Sequence, residues 1–170
     1  MYSLPDDFGE VVGYRGLWRP TADGTPIIEM LGKNTEEAIE LLNYVGLGDA
    51  FVYLRSYSQL SDGQRYRYGL ADALESGAKT IAVDEFCSVL DRRTAKVVAF
   101  LMQKVCRRRG ITLIVSTAHD DLDMDLCPNV YVRKGFGSAV DVRYYSPPDN
   151  AHSKCTVGLA VRIEKGQMDD

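Results

Sequence analysis

The stretch from Leu60 to Asp91, LSDGQRYRYGLADALESGAKTIAVDEFCSVLD, constrains the chain more than any other. It predicts a capped helix, then a short buried strand that runs out into two adjacent carboxylates. Ser61-x-x-Gln64 has the form of a capping box, so a helix starts at Ser61, and Gly77 marks its end. Thr80–Val83 (TIAV) is short, apolar and bounded by turn signals, which predicts a buried strand of the parallel type. Asp84 and Glu85 stand where that strand ends, and Ser88–Asp91 (SVLD) follows, with Asp91 as the cap of the next helix.

That next helix runs to about Arg109, with Val98, Leu101, Met102 and Val105 on one face and Gly110 as its stop. Ile111–Ser116 (ITLIVS) is a second buried strand, ending just before Thr117, Ala118 and His119. Strand, helix, strand with both strands buried gives an α/β sheet.

Around this unit the chain divides into three expected parts. Residues 1–26 form an irregular lead-in, with Glu10–Tyr14 as an edge strand and Pro20, Gly24 and Pro26 making a loop. Residues 27–79 form a helical subdomain: one turn at Ile27–Leu31, a helix from Thr35 to Val45 capped by Asn34 and stopped by Gly46, a short helix at Asp49–Arg55, then the Ser61 helix. Residues 80–170 form the α/β core. In it Val130–Lys134 and Val140–Tyr145 make a hairpin around Gly135–Ser138, Ser146–Lys154 is a loop, and Thr156–Glu164 adds a strand.

Composition removes several function classes. Net charge is −4, so no global basic field points to nucleic acid. Arg107-Arg108-Arg109 lies at a helix C-terminus, where basic residues complement the dipole, and Tyr66 and Tyr68 read as packing or solvent-facing side chains rather than base-stacking ones. The four cysteines, Cys87, Cys106, Cys127 and Cys155, contain no CxxC pair and have only two histidines to join them, which argues for reduced thiols in a cytoplasmic protein over a zinc site. No apolar run reaches bilayer length, and the N-terminus lacks the basic-then-apolar layout of a signal peptide, so membrane insertion is not expected.

In open α/β sheets ligands collect beyond the carboxyl ends of the strands. Asp84–Glu85 and His119 fall at two such ends. Nucleotide hydrolysis needs a carboxylate to hold Mg²⁺, usually through water, a group to position the attacking water, and donors aimed at the γ-phosphate. Asp84 suits the first role, Glu85 the second and His119 the third. The helix start at Ser61–Gln64 offers unpaired N–H groups, and Gly63 has no side chain to block a phosphate. Taken singly, each is more often a cap, a loop carboxylate or a surface histidine; the order and spacing carry the reading.

With these residues in view, LSDGQ, TIAVDE, SVLD and His119 resemble, in order, the signature, Walker B, D-loop and switch histidine of the ABC-type ATPases. Gln64 and Asp84 stand twenty positions apart, and Asp91 precedes His119 by twenty-eight. The resemblance covers roughly Ile27 to Leu122. It implies the C-terminal portion of a P-loop NTPase fold: a mostly parallel core sheet, flanking helices and a C-terminal β-hairpin. It further implies ATP and Mg²⁺ as cofactors, with Ser61, Gly63 and Gln64 on the ATP held by a partner subunit. Asp84, Glu85 and His119 would serve the chain's own site, with Glu85 and His119 catalytic. Asp91 would join the subunit contact of a homo- or hetero-dimer. DEFCSVLDRRTAKVVAF and NVYVRKGFGSAVDVRYY are most similar to archaeal soluble ABC ATPases fused to a predicted acetyltransferase.

The chain departs from the family pattern in four respects. No GxxxxGK[ST] run is present; Gly32-Lys33 is followed by Asn34, and Ile27 stands where the first glycine belongs. Walker A is therefore expected upstream or on a Walker A-bearing partner chain, and Gly46-Leu47-Gly48 reads as a helix stop. VVGYRGLW (Val11–Trp18) corresponds to the Q-loop strand, with Leu17 or a neighbour where glutamine is expected, Asp62 replaces a glycine, and Phe86 replaces a proline. The alternatives are the nucleotide-binding subunit of a membrane transporter, the lobe of a chromosome-maintenance ATPase, which the absence of heptads in residues 1–60 disfavours, and a non-catalytic interaction module.

Overall fold

The computed structural model describes residues 11–14, 24–119, 121–134, 139–145 and 159–163. The expected lead-in at 1–9, the turn Gly135–Ser138, the loop Ser146–Lys154 with His152, and Cys155 lie outside the described residues, as does most of the loop before Pro26.

Among the described residues six strands form one sheet: β1 (Val11–Tyr14), β2 (Thr80–Val83), β3 (Thr112–Thr117), β4 (Val130–Lys134), β5 (Val140–Tyr144) and β6 (Leu159–Ile163). Their order across the sheet is β1-β2-β3-β6-β4-β5. Every pairing is parallel except β4 with β5, the C-terminal antiparallel hairpin. β6 is the strand expected near the C-terminus, but its position is a finding: it lies parallel between β3 and β4, with Ile114 opposite Leu159 and Val130 opposite Leu159 on its two sides.

Five α-helices among the described residues accompany the sheet: α1 (Thr35–Tyr44), α2 (Ala50–Tyr53), α3 (Asp62–Glu75), α4 (Arg92–Arg109) and α5 (Asp123–Leu126). Their ends follow from local chemistry. The Asn34 side chain accepts the Glu37 N–H, and Asp49 accepts that of Phe51. Ser61 and Gln64 form the expected reciprocal capping box. Gly110 closes α4 in the left-handed conformation at φ +68°, where a Cβ would be penalised. Two short elements were not expected from the sequence: α5, and a 3-10 turn at Tyr57–Gln59 with its own Ser56–Gln59 capping box.

The core joins these layers. α4 buries Ala95, Val98, Ala99, Met102, Val105 and Cys106, a stripe at three- and four-residue spacing, whereas Leu101 is only half-buried. α3 buries Tyr66, Tyr68, Leu70, Ala71, Ala73 and Leu74 and touches α1 and β1. β2 is buried almost throughout, as expected, while β3 alternates, with Leu113, Val115 and Thr117 buried and Ile114 and Ser116 half-buried. Fully burying a side chain such as Leu70 or Met102 contributes about 1.5–3 kcal/mol. The parallel strands therefore end on one edge of the sheet, backed by a packed core that fixes where their terminal residues stand.

Candidate functional site

The site grows from the ends of β2 and β3, which pair in parallel with Val83 opposite Val115. β2 stops where the side chain of Asp84 takes over as acceptor: Oδ1 receives the Glu85 N–H at 2.9 Å and the hydroxyl of Ser116 from β3. The Glu85 N–H also reaches Ser116 Oγ at 3.3 Å, and the Phe86 N–H donates to the Ser116 carbonyl at 2.7 Å. Thr117 donates its hydroxyl to the Phe86 carbonyl at 3.0 Å and accepts the His119 N–H at 3.2 Å. Each residue from Asp84 to Phe86 is thus laced to the end of the neighbouring strand.

The turn that follows is conformationally costly. Glu85 and Cys87 both adopt left-handed backbone, at φ +50° and +63°. Side chains other than glycine hold such geometry at about 1–3 kcal/mol each, only where surrounding contacts over-determine it. Those contacts are present: Phe86 and Cys87 are fully buried, and the Cys87 N–H donates to the buried Tyr66 hydroxyl at 2.8 Å. Its carbonyl lies 3.3 Å from His119 Nε2. Because a carbonyl only accepts, Nε2 is the donor in a hydrogen bond made there. Burial pushes the Cys87 thiol up to about 12, against a smaller opposing effect of the Tyr66 hydrogen bond, so it is no nucleophile.

The sequence-predicted residues fall into two groups joined by this turn. Asp84, Glu85 and His119 come together at the adjacent strand ends, with Asp84 and Glu85 exposed and His119 half-buried. At the other end of the turn, Asp91 caps α4, accepting the N–H groups of Arg93 and Thr94 at 3.1 Å and the Thr94 hydroxyl at 2.6 Å. The Thr94 hydroxyl and backbone hydrogen bonds hold its carboxyl below the usual range.

Ser61, Gly63 and Gln64 form the first turn of α3, which rests on that same turn. A methyl built on Gly63 would lie 3.1 Å from Leu90 Cδ2 and 3.8 Å from the Val89 carbonyl. Ser61 Oγ accepts the Gln64 N–H at 3.3 Å and Gln64 Oε1 accepts the Ser61 N–H at 3.0 Å. Asp62, the residue where a glycine was expected, is exposed and pairs with Arg65 at 3.4 Å. Among the described residues no hydrogen bond joins Ser61 or Gln64 directly to Asp84, Glu85 or His119; the turn between them is the link.

Three participants escaped sequence reasoning. For Tyr66 the sequence leaves packing and solvent-facing roles open; it is buried, and its hydroxyl also anchors Cys87. Ser116 and Thr117 carried one signal, adjacent hydroxyls at the end of an otherwise apolar strand. Gly32-Lys33 follows a 3-10 turn (Ile27–Glu29), not a strand, and its N–H groups are used by Glu75 and Glu37 at 2.7 and 2.9 Å. It is a helix lead-in. Gly46 ends α1 at φ +74°, as expected of a helix stop.

The donor set fits a magnesium ion bound with phosphate. Asp84 offers a hard oxygen ligand oriented by Ser116, and no group of three or more metal-ligating side chains occurs among the described residues. Mg²⁺ is ordinarily held by one or two carboxylates plus waters and substrate phosphates rather than by such a cage. Several basic residues elsewhere are engaged within the fold. Arg107 donates to Asn129 and the Cys127 carbonyl, Arg108 and Arg109 lie over the Tyr44 ring, and Arg92 and Lys96 pair with Asp121.

Comparison with known proteins finds similarity to ATP-binding proteins. A methionine import ATP-binding protein MetN of Streptomyces coelicolor is 37% identical over 105 residues, covering 59% of this chain and 29% of the relative. MetN 2 of Rhodococcus jostii is 36% identical over 136 residues, covering 76% and 38% respectively. MetN of Streptococcus pyogenes is 32% identical over 143 residues, covering 79% and 39%. Over most of its own length the chain is similar to proteins named as ATP-binding. Its parallel sheet with a C-terminal antiparallel hairpin is consistent with the C-terminal part of the ABC ATPase fold. The chain spans less than two-fifths of the length of these relatives. No family model matches it. No helix among the described residues is long and apolar enough to cross a membrane.

Proposed function

We propose that this chain supplies the signature, Walker B, D-loop and switch histidine of an ABC-type ATPase, acting in an ATP-sandwich dimer. The observation that carries the reading is the union of two half-sites by one turn: Asp84, Glu85 and His119 at its start, and the first turn of α3 seated on Leu90 near its end. Similarity to ATP-binding proteins across most of the chain supports it.

In this reading Asp84 holds Mg²⁺ through water, with Ser116 orienting the carboxylate. The ion, when bound, supplies charge neutralisation to the phosphates. Glu85, exposed beside it, positions and deprotonates the attacking water. His119 carries its proton on Nε2 and presents it to the γ-phosphate once it leaves the Cys87 carbonyl. Ser61 and Gly63 contact the nucleotide of the partner subunit through the hydroxyl, the α3 N–H groups and its positive dipole end. Gln64 secures that turn, and Asp91 contributes to the contact between subunits. The lysine-bearing phosphate loop belongs to sequence upstream or to a second chain, because the 170 residues contain no GxxxxGK[ST] run. The finer likeness to archaeal acetyltransferase-fused ATPases rests on the phrasing of residues 84–100 and 129–145 and forms part of the same proposal.

The expected behaviour is little or no ATP turnover by the purified chain. MgATP should drive association with a Walker A-bearing partner, and turnover in the assembly should disappear in Glu85→Gln. Clear hydrolysis by the chain alone, abolished by the same substitution, would reveal a phosphate site elsewhere and overturn the split-site reading. A second reading, the nucleotide-binding subunit of an importer, is favoured by the names of the relatives. Co-purification with a permease encoded beside the chain, and methionine uptake lost in Glu85→Gln, would establish that version.

A further inference from the structure

α3 touches the turn between Glu85 and Asp91 at two points. Gly63, in its first turn, faces Leu90, and Tyr66, three residues on and so on the same helix face, meets Cys87. The two contact points on the turn are themselves joined, because the Leu90 N–H donates to the Cys87 carbonyl at 3.1 Å. That carbonyl is also the one His119 Nε2 approaches at 3.3 Å. Cys87 thus has its N–H held by α3 and its C=O held by Leu90 and by His119, two residues beyond the end of β3. It is fully buried and left-handed, so it has little freedom to absorb a shift of either partner. A phenylalanine would fill the Tyr66 cavity equally well. Among what the hydroxyl adds is the 2.8 Å bond to the Cys87 N–H, a tie between the helix whose start is proposed to read a partner's phosphate and the turn carrying Glu85.

We propose that Tyr66 is a positioning residue that couples the Ser61–Gln64 end of α3 to Glu85 and His119 through the Cys87 peptide. Movement of the α3 start then changes the grip of His119 on the Cys87 carbonyl, and with it the readiness of the Nε2 proton for a phosphate. The functional meaning of this coupling rests on the ATPase reading above; the coupling itself does not.

Tyr66→Phe in the purified chain separates the two. Hydrogen exchange at the Cys87 amide should accelerate at least about tenfold, as expected when a buried hydrogen bond is lost. The His119 ring nitrogens, read by ¹⁵N NMR, should move away from a pure Nε2–H tautomer. In the assembled ATPase the same variant should lower kcat several-fold with KM for ATP nearly unchanged. A tyrosine that merely fills the core would leave the Cys87 amide and the His119 tautomer as they were, and that result overturns the proposal. His119→Ala provides the reverse reading should Tyr66→Phe fold poorly. It should speed Cys87 exchange and shift the Tyr66 ring resonances while sparing those of Tyr57; an unchanged Tyr66 ring would also overturn the proposal. NMR coupling intact in an assembly that binds no ATP would support the link and defeat the ATPase reading instead.

Discussion

Gly63→Ala separates folding from function, because the structure predicts opposite answers for the two. Gly63 has ordinary helical backbone, so alanine there removes chain entropy from the unfolded state and gains up to about 1 kcal/mol of helix propensity, less in a first turn. Against this, the new methyl would stand 3.1 Å from Leu90 Cδ2. The neighbour must yield by about 0.3 Å, and it is the far end of a flexible side chain, so the cost sits at the low end of the roughly 1–3 kcal/mol seen for overpacking. The two nearly cancel, leaving stability within about 1 kcal/mol, or roughly 2–4 °C in melting temperature for a chain of this size. A phosphate approaching the α3 N–H groups meets the same methyl, so MgATP-dependent association with a Walker A-bearing partner should fall by at least about tenfold, the loss of one good charge-assisted hydrogen bond. Thermal unfolding and sedimentation in MgATP measure the two quantities. A loss of more than about 2 kcal/mol would refute the account of the Leu90 contact. Unimpaired association in a stable variant would refute the role of Gly63 at a nucleotide.

Three other expectations test separate parts of the site. Ser116→Ala removes the donor that orients Asp84, and outer-sphere partners of this kind typically contribute about 10–100-fold to metal affinity. The Mg²⁺ concentration for half-maximal hydrolysis should rise in the assembled protein, while an unchanged requirement would remove Asp84 from the metal. Burial pushes the Cys87 and Cys106 thiols up to about 12, so a thiol reagent at pH 8 should leave both unlabelled in the folded chain and reach them only on unfolding. Asp91 and Asp121 titrate below the usual 3.8 in the folded chain, held down by Thr94 and by Lys96 with Arg92. Their contribution to stability is complete above the unfolded value and is lost as pH falls through the folded one. Unfolding midpoints should therefore drop below about pH 4, and Asp91→Asn or Asp121→Asn should flatten that decline; an equally steep decline in both variants would assign acid sensitivity to other carboxylates.

What could be read from the sequence was whatever depends on neighbours within a few residues. The Asn34, Ser61 and Asp91 caps, the left-handed stops at Gly46 and Gly110, and the run TIAV ending at Asp84 each declare themselves through local side chain–backbone chemistry. The parts that were not legible are set by contacts distant along the chain. Nothing near Leu159 in sequence says that its strand lies between β3 and β4, since parallel insertion depends on two partners both earlier in the chain. Tyr66 is indistinguishable from a core aromatic until Cys87, twenty-one residues later, is found against its hydroxyl. The left-handed backbone of Glu85 and Cys87 is hidden for a related reason. Neither residue favours that geometry, and it is held by surrounding bonds, among them those from Ser116 to Glu85 and from Tyr66 and His119 to Cys87. Strain of this kind persists where the fold over-determines the backbone, and here it falls on the carboxylate proposed to activate water and on the peptide that receives His119. The motif letters therefore identify the candidate residues. The long-range hydrogen bonds explain why Glu85 and His119 stand as they do, and they are the proper targets for mutation.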